Sequence, residues 1–439
     1  MSGDGRPVIT GIGVVAPTGV GAGRHWENGL TGRSRIGALR SAVEPWAGPD
    51  GGPPDDSSVA TAPVPGDACR RPPVRVAGQV PGFSADQVGD FVGSRVRVQT
   101  DRWTWFALAA TRLAFEDAGL DPERHDPYQL SVVTASASGG NEFGQREINT
   151  LWRNGPGSVS AYQSIGWFYA ASSGQISIRD QLKGSCGVFV ADAAGPLDAL
   201  AAAARQLRRG VGAVVTGGTE APLSPYALAC QARRPGLSDT TDPVAAYRPF
   251  AADGACHVPG EGGAMLVLED RGFAEARGGS RRYAELAGTA ATHDAGDPVE
   301  VSGDCTQYAR AMRLAIDRAG LEPADVDVVF ADGAGEERLD ALEVAALRKV
   351  FGDRPVPVTV PATMTGRLCS GGAALSLAWA ALALSHDTVP PTVPPDGPLI
   401  DPGLDLVTSP RVGGGIRTAL VVARGAGGFN SAAVLSVAS

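Results

Sequence analysis

Cysteine and histidine are the side chains best suited to act as nucleophiles, general bases or metal ligands, and this sequence of 439 residues contains only six cysteines and five histidines. No two cysteines form a CxxC pair, and the histidines lack the spacing of metal ligands, so we expect neither a metal centre nor a disulfide framework. Free thiols indicate a reducing compartment. These residues are Cys69, Cys186, Cys230, Cys256, Cys305, Cys369, His25, His125, His257, His293 and His386.

Three of the cysteines, Cys186, Cys256 and Cys369, lie near turns that could hold reactive groups. We expect these three cysteines to act as small buried apolar side chains and not as reactive thiols. Each histidine is predicted to lie on the surface or in a loop and not to bind a metal.

The turns that could position chemistry connect a buried strand to a helix. An apolar run at 187–190 leads into Ala191-Asp-Ala-Ala-Gly195 and then into an alanine-rich helix predicted over 196–209. A helix N-terminus offers backbone N–H donors and a favourable dipole to a nucleophile or an oxyanion. An equivalent strand, turn and helix are predicted over 360–385.

The order of elements in the first half of the chain recurs in the second half. Two copies of a β-α-β-α-β-β unit predict an α/β protein with a duplicated α/β/α/β/α layered fold, divided into halves 1–270 and 271–439. The segment at about 44–73, rich in Pro, Gly, Asp and Ser, is predicted to be a surface insertion. The matched segments are 7–15 with 283–288, 100–119 with 305–320, and 130–135 with 326–332.

Composition narrows the class of partner and the compartment. The net charge of −9 argues against a nucleic-acid partner. No apolar run approaches the roughly 18 residues of a membrane span, and the N-terminus lacks a signal-peptide pattern. The scarcity of lysine beside abundant Ala, Gly and Arg is typical of a high-GC bacterial genome. We therefore expect a bacterial, cytoplasmic protein without a membrane partner.

An aromatic cluster occupies the middle of the first half. Six aromatic residues fall within 27 positions, although aromatic residues make up only 6% of the chain. A cluster this poor in charge is typical of a large apolar protein–protein interface, and it is equally compatible with a core between two sheets. Its members are Phe143, Trp152, Tyr162, Trp167, Phe168 and Tyr169.

Short motifs spread along the whole chain carry a family resemblance. They are Pro7–Pro17, TGGTE at 216–220, YRPF at 247–250, PGEGGA at 259–264, GFNS at 428–431, EFGQRE at 142–147, AYQS at 161–164, WFYA at 167–170 and GQISI at 174–178. The first five resemble motifs of the thiolase-type β-ketoacyl synthases. The last four together resemble a specific block of the chain-length factors, or ketosynthase β subunits, of type II polyketide synthases.

The resemblance implies an active site that has lost its chemistry. A condensing ketosynthase uses a cysteine nucleophile, two histidines and a lysine, whose positions in this sequence hold Ala193, Asp332, Arg367 and Ala362, respectively. A methyl group cannot be acylated, and a carboxylate would repel a developing enolate. Asp332 and Arg367 are predicted to pair and to fill the vacated site. Chain-length factors usually carry Gln at the nucleophile position, so a role for that Gln in priming does not carry over to Ala193.

The resemblance also implies partners and a tunnel. The chain would pair with a catalytic ketosynthase as a heterodimer and act on chains held by an acyl carrier protein, without a cofactor. Trp103, Phe106 and Ala110 have the helical spacing expected near the end of a chain-length-limiting tunnel. Residues 139–145 are expected to reach towards the partner's active site. The predicted interface residues are Glu142, Phe143, Gln145, Tyr162, Trp167, Phe168 and Tyr169.

Two other functions remain open at this stage. The chain could be an active acyltransferase or malonyl decarboxylase whose nucleophile has moved to Cys369 or Asp192. Alternatively, it could be a homodimeric scaffold with no ketosynthase partner. Labelling by a ketosynthase-directed electrophile would favour the first, and a stable homodimer that ignores a co-expressed ketosynthase would favour the second.

Overall fold

The computed structural model describes residues 6–39, 74–83, 88–279, 281–297 and 303–438. The insertion predicted at 44–73 lies outside the described residues. The strands are β1 (Val8–Ala16), β2 (Gly19–Val20), β3 (Ile36–Ala38), β4 (Val76–Gly78), β5 (Leu130–Ala135), β6 (Cys186–Phe189), β7 (Ala213–Glu220), β8 (Gly262–Glu269), β9 (Ala284–His293), β10 (Val328–Phe330), β11 (Val358–Thr359), β12 (Thr388–Val389), β13 (Arg411–Val412), β14 (Thr418–Gly425) and β15 (Phe429–Ser436). The helices are α1 (Ala22–Leu30), α2 (Ser94–Gln99), α3 (Arg102–Ala118), α4 (Asn141–Asn154), α5 (Gln163–Gly166), α6 (Ala171–Asp180), α7 (Gly195–Arg208), α8 (Pro225–Gln231), α9 (Arg271–Ala276), α10 (Thr306–Ala319), α11 (Glu337–Phe351) and α12 (Ser370–His386).

The main sheet shows the duplication directly. Its strand order is β11-β10-β14-β15-β9-β1-β8-β7-β5-β6, with β2 paired to the end of β1. From the middle outwards, β9-β15-β14-β10-β11 repeats β1-β8-β7-β5-β6, with two antiparallel pairs followed by two parallel pairs in each half. The halves join where Val8 pairs with Glu285 and Ile9 with Ala284. The predicted duplicated fold is confirmed.

The helices complete a layered α/β/α/β/α arrangement. Helices α7 and α12 pack between the two halves of the sheet, whereas α3 covers the outer face of β1 and β8 and α10 covers that of β9 and β15. Helix α12 is rich in Ala and Leu, and Trp379 at its centre is 1% exposed. A helix that is apolar around its whole circumference suits this central layer.

Helix α3 is held tightly against the sheet. Asp101 caps its N-terminus by accepting the N–H of Trp103 at 3.2 Å, and Gly119 ends it with a left-handed φ of 59°. Both ends agree with the sequence prediction. Strand β1 allows the close approach because it carries glycine, and a Cβ at Gly13 would lie 1.8 Å from the carbonyl oxygen of Ala110.

Candidate vacated active site

The turn between β6 and α7 presents Ala193 where the family resemblance expects a nucleophile. Ala193 is 4% exposed, and Asp192 before it has a left-handed φ of 48°. The carbonyl oxygen of Asp192 accepts the Ser370 hydroxyl at 2.8 Å. Its carboxylate accepts the N–H of Ala426 at 3.0 Å and lies 3.8 Å from the Arg234 guanidinium. These contacts hold the turn in place around a methyl group.

The facing turn, after β10, is fixed by a buried glutamate. Glu343 on α11 accepts the backbone N–H groups of Asp332 and Gly333, each at 2.8 Å, and the hydroxyl of Tyr308 at 2.9 Å. Burial raises the pKa of Glu343 to about 8, and the charge of Asp332 adds to that effect. Two backbone hydrogen bonds to Glu343 therefore hold the turn at the position expected for the first histidine.

Asp332 and Arg367 form the predicted ion pair. The Arg367 guanidinium lies 2.8 Å from the Asp332 carboxylate, and their side chains are only 13% and 11% exposed, respectively. Burial acts to lower the pKa of Arg367, but the charge and hydrogen bond of Asp332, together with Tyr247 and Asp192, outweigh it and hold this pKa well above its usual value. The prediction that these two residues pair is confirmed.

The four positions that the resemblance assigns to catalytic residues come together around one small cavity. Ala193, Asp332, Ala362 and Arg367 all line a space of about 20 Å³. That volume suffices for about one water molecule and not for an acyl chain. A larger cavity of about 190 Å³ lies beside it and shares Arg367 with the smaller one.

The side chains offered as relocated nucleophiles are poorly suited to attack. Burial raises the pKa of the Cys369 thiol to about 12, and the charge of Asp192 adds to this rise. The thiol is therefore protonated at neutral pH, whereas the thiolate is the nucleophile. The carboxylate of Asp192 is engaged by Ala426 and Arg234. His257 lines the larger cavity, and burial lowers its pKa to about 4.

The predicted tunnel residues are buried within the chain. Trp103, Phe106 and Ala110 on α3 are each 0% exposed. The Phe106 ring lies 5.0 Å from that of Phe83, and the Arg102 guanidinium lies 4.8 Å from the Phe106 ring centre. Their assignment to a tunnel stays a prediction.

The predicted interface residues divide between core and surface. Trp167 and Phe168 are 43% and 53% exposed, whereas Phe143 is 2% exposed. Glu142, Gln145, Tyr162 and Tyr169 are half-buried. Helices α4 and α5 contact each other, and their exposed apolar side chains, together with Trp167 and Phe168, are here called the aromatic face; its other members are Ile148, Leu151, Trp152 and Ile165. Of the two interpretations of the aromatic cluster, Phe143 fits a core residue, and Trp167 and Phe168 fit surface residues.

Sequence reasoning was wrong about two side chains and did not find the buried acids. His25 is 0% exposed and lies in α1, so it is neither a surface nor a loop residue, and Cys186 is exposed rather than buried because it lies on the end strand of the sheet. His257 lies in a loop, as predicted, but it is only 5% exposed. The buried acids include Glu220, which accepts the N–H and the hydroxyl of Ser138. Such acids serve backbone groups far along the chain, and no local pattern reveals this.

Within the described ranges, no group of His, Cys, Asp or Glu is arranged to hold a metal ion. In that same part of the chain, none of the helices has both the length and the apolarity required to cross a bilayer.

Two family models match the chain along most of its length. The N-terminal domain of β-ketoacyl synthase matches residues 6–274, and the C-terminal domain matches residues 283–395. The chain therefore belongs to the β-ketoacyl synthase family.

Its relatives narrow the class. The chain is 47% identical to the tetracenomycin polyketide synthase ketoacyl synthase beta subunit of Streptomyces glaucescens, over 99% of this chain and 99% of that protein. Within the family, the chain is thus one of the ketosynthase β subunits, or chain-length factors, of type II polyketide synthases.

Solved structures share the thiolase-like ketosynthase fold. The ishigamide ketosynthase/chain length factor superposes with a TM-score of 0.85 at 24% identity, over 99% of each chain. A type II polyketide synthase acyl carrier protein in complex with its ketosynthase bound to the hexaketide gives 0.82 at 24% identity, again over 99% of each chain. At this level of identity, the likeness describes the fold alone.

Proposed function

We propose that this chain is the non-catalytic, chain-length-determining partner of a catalytic ketosynthase in the bacterial cytoplasm. The pair extends a polyketide chain held by an acyl carrier protein through decarboxylative Claisen condensation, and the reactive cysteine and histidines belong to the partner. The observation that carries this proposal is the 20 Å³ cavity in which Ala193 and the Asp332–Arg367 pair occupy the catalytic positions. The relative at 47% identity, a beta subunit by name, supports it.

The geometry argues against condensation within this chain. Acyl transfer needs a nucleophile that can form a thioester, and Ala193 offers only a methyl group. Condensation also needs donors that stabilise a developing negative charge. Arg367, the one cation at these positions, already neutralises Asp332 at 2.8 Å, so the pair acts as a structural filler.

The tunnel assignment rests on helix α3. Trp103, Phe106 and Ala110 follow one another at helical spacing, and α3 cannot shift towards β1 because Gly13 already lies against it. A wall fixed in this way can limit the length of a chain that grows against it. Phe106 is the bulky side chain whose replacement by a small one should change the shape of this wall most clearly.

The aromatic face supports pairing with a second chain. It presents Trp152, Trp167 and Phe168 at 81%, 43% and 53% exposure, and an exposed apolar patch of this kind marks a binding surface. The face lies within the proposed half 1–270, and the division from 271–439 belongs to the same proposal.

Labelling tests whether the chain is catalytic. The purified heterodimer is treated with an electrophile that alkylates ketosynthase cysteines, and each subunit is analysed by mass spectrometry. We expect label on the partner alone. Label on Cys369, lost in a Cys369→Ala control, would instead support a relocated nucleophile.

Product analysis tests the tunnel. We expect the Phe106→Ala heterodimer, supplied with carrier protein and malonyl donor, to release longer products than the wild-type complex. Phe115→Ala is the matched control, because Phe115 is a buried phenylalanine (7% exposed) nearer the other end of α3. An unchanged length distribution in Phe106→Ala would contradict the assignment.

Co-purification tests the partner. Trp167→Arg places a charge in the aromatic face and should prevent co-purification with a co-expressed ketosynthase. Tyr128→Arg, at a residue that is 66% exposed outside this face, should have no effect. A wild-type homodimer that ignores the ketosynthase would support the scaffold function instead.

A further inference from the structure

One buried carboxylate joins two helices that the proposed function uses for different purposes. Asp101, 4% exposed, accepts the N–H of Trp103 at the start of α3 at 3.2 Å through Oδ1. Its other oxygen, Oδ2, accepts the N–H of Phe143 in the first turn of α4 at 2.7 Å. A helix begins with N–H groups that lack partners within the helix, so Asp101 supplies partners to two helices at once.

Helix α4 in turn carries part of the aromatic face and contacts the segment that carries Trp167. Phe143 packs against Gly166, where an added Cβ would lie 2.7 Å from the Phe143 ring. The N–H of Gly140 donates to the carbonyl oxygen of Trp167 at 3.2 Å. A displacement of the first turn of α4 would therefore also displace Trp167, whose side chain is exposed.

The hydrogen bonds of Arg102, the other charged side chain at the start of α3, run to other segments, although its charge interacts with that of Glu142 on α4. Arg102 donates twice to Glu261, at 2.9 and 2.7 Å, and also donates to the carbonyl oxygen of Phe83. These bonds hold the start of α3 to Phe83, which precedes α3 in the chain, and to Glu261, which immediately precedes β8. Asp101 makes the side-chain hydrogen bonds that join the α3 N-terminus to α4 in the described structure, and the charge of Arg146 on α4 also acts on it.

We propose that Asp101 is a positioning residue that couples the partner-facing helix α4 to the tunnel helix α3. Docking of the ketosynthase on the aromatic face then fixes α4, and through Asp101 it fixes the end of α3 that carries Trp103 and Phe106. The identities of the partner and the tunnel rest on the proposed function, whereas the coupling between the helices is a property of this chain.

Hydrogen–deuterium exchange measures the coupling. In the wild type, binding of the ketosynthase should slow exchange in peptides from α4 and also in those from 102–110. Asp101→Ser keeps an N-cap oxygen for α3 but has a single short acceptor, so docking should slow exchange in α4 alone and the product lengths should broaden. Asp101→Asn, which can accept through one oxygen only, is the second variant.

A matched control separates coupling from simple helix capping. Asp270 caps α9 by accepting the N–H of Phe273 at 3.0 Å, outside both α3 and α4. Asp270→Ala should leave the exchange response and the product lengths as in the wild type. The proposal is overturned if Asp101→Ser and Asp101→Asn retain wild-type protection of 102–110 on docking.

The proposed function and the coupling fail in different ways. If Phe106→Ala leaves product lengths unchanged while Asp101→Ser still uncouples the exchange response, the tunnel assignment is wrong and the coupling stands. If no ketosynthase binds, the coupling is tested instead by hydrogen exchange in the chain without a partner. Asp101→Ser should then speed exchange in the first turn of α4 about fivefold, the equivalent of roughly 1 kcal/mol for a lost cap, and an unchanged rate would refute the coupling.

Discussion

Removal of one member of the Asp332–Arg367 pair should destabilise the chain far more than removal of both. The charges lie 2.8 Å apart, with side chains only 11% and 13% exposed, so neither is well compensated by water once its partner is lost. Removing one partner of a buried ion pair costs roughly 3–5 kcal/mol, whereas replacing both with apolar groups is often neutral or stabilising. The N–H of Asp332 that binds Glu343 belongs to the backbone, so substitution leaves that bond in place.

The expected losses in free energy of unfolding are about 3 kcal/mol for Asp332→Ala, about 3 kcal/mol for Arg367→Met, and less than about 1 kcal/mol for the double variant. Urea unfolding of the heterodimer, followed by tryptophan fluorescence at one fixed protein concentration, measures all three. The same preparations are assayed for product. The double variant should match the wild type, because under the proposed function no chemical step uses the pair.

Two results would refute this reasoning. Single losses below about 1 kcal/mol that add within about 0.5 kcal/mol in the double variant would mean that solvent screens the pair. A folded double variant that no longer supports product formation would mean that the pair takes part in the chemistry or in its immediate support.

Three further predictions concern packing, chemistry and pH. Gly13→Ala should cost about 1–3 kcal/mol or more in thermal unfolding, since its Cβ would lie 1.8 Å from a carbonyl oxygen of α3, whereas Gly23→Ala, with nothing within 4 Å of the added Cβ, should be tolerated. Ala193→Cys should not give this chain condensing activity, measured as CO₂ release from malonyl-carrier protein, because Asp332 remains at a histidine position. Burial raises the pKa of Glu220 from 4.5 to about 7. The contribution of Glu220 to stability is therefore present below about pH 4.5 and is lost as the pH rises through 7. The urea midpoint of unfolding should fall over this pH range, and it should fall less steeply in Glu220→Gln.

The fold could be predicted because its signals are local. The apolar run of β1, the helix between Asp101 and Gly119 and the strand at 130–135 each carry their own periodicity and end signals, and the structure reproduces them within a residue or two. The duplicated order followed from these elements. The pairing of Val8 with Glu285, which joins the halves, is a tertiary contact between polar and apolar residues that no periodicity encodes.

The candidate site was predictable in part, for a different reason. The resemblance named Ala193, Asp332, Ala362 and Arg367, and opposite charge at two equivalent turns predicted the ion pair. The burial of Phe143 was not predictable, because an aromatic residue in a charge-poor cluster suits a core and an interface equally. What decides between them is the fit of Gly166 against its ring, which depends on the path of the chain between α4 and α5.

The two halves use different residues to fix equivalent turns. After β5 the turn is held by Glu220 at the end of β7, and after β10 by Glu343 on α11; each accepts two backbone N–H groups. Because the two glutamates come from different elements, duplication alone does not account for both. Burial raises the pKa of each to about 7 or 8, against the lowering effect of these hydrogen bonds, so burial of the two carboxylates makes the chain less stable at neutral pH than at acidic pH. The first turn leads into α4, which carries part of the aromatic face, and the second holds the ion pair. Under the proposed function, the two turns therefore position a partner surface and a structural ion pair, and not reacting groups.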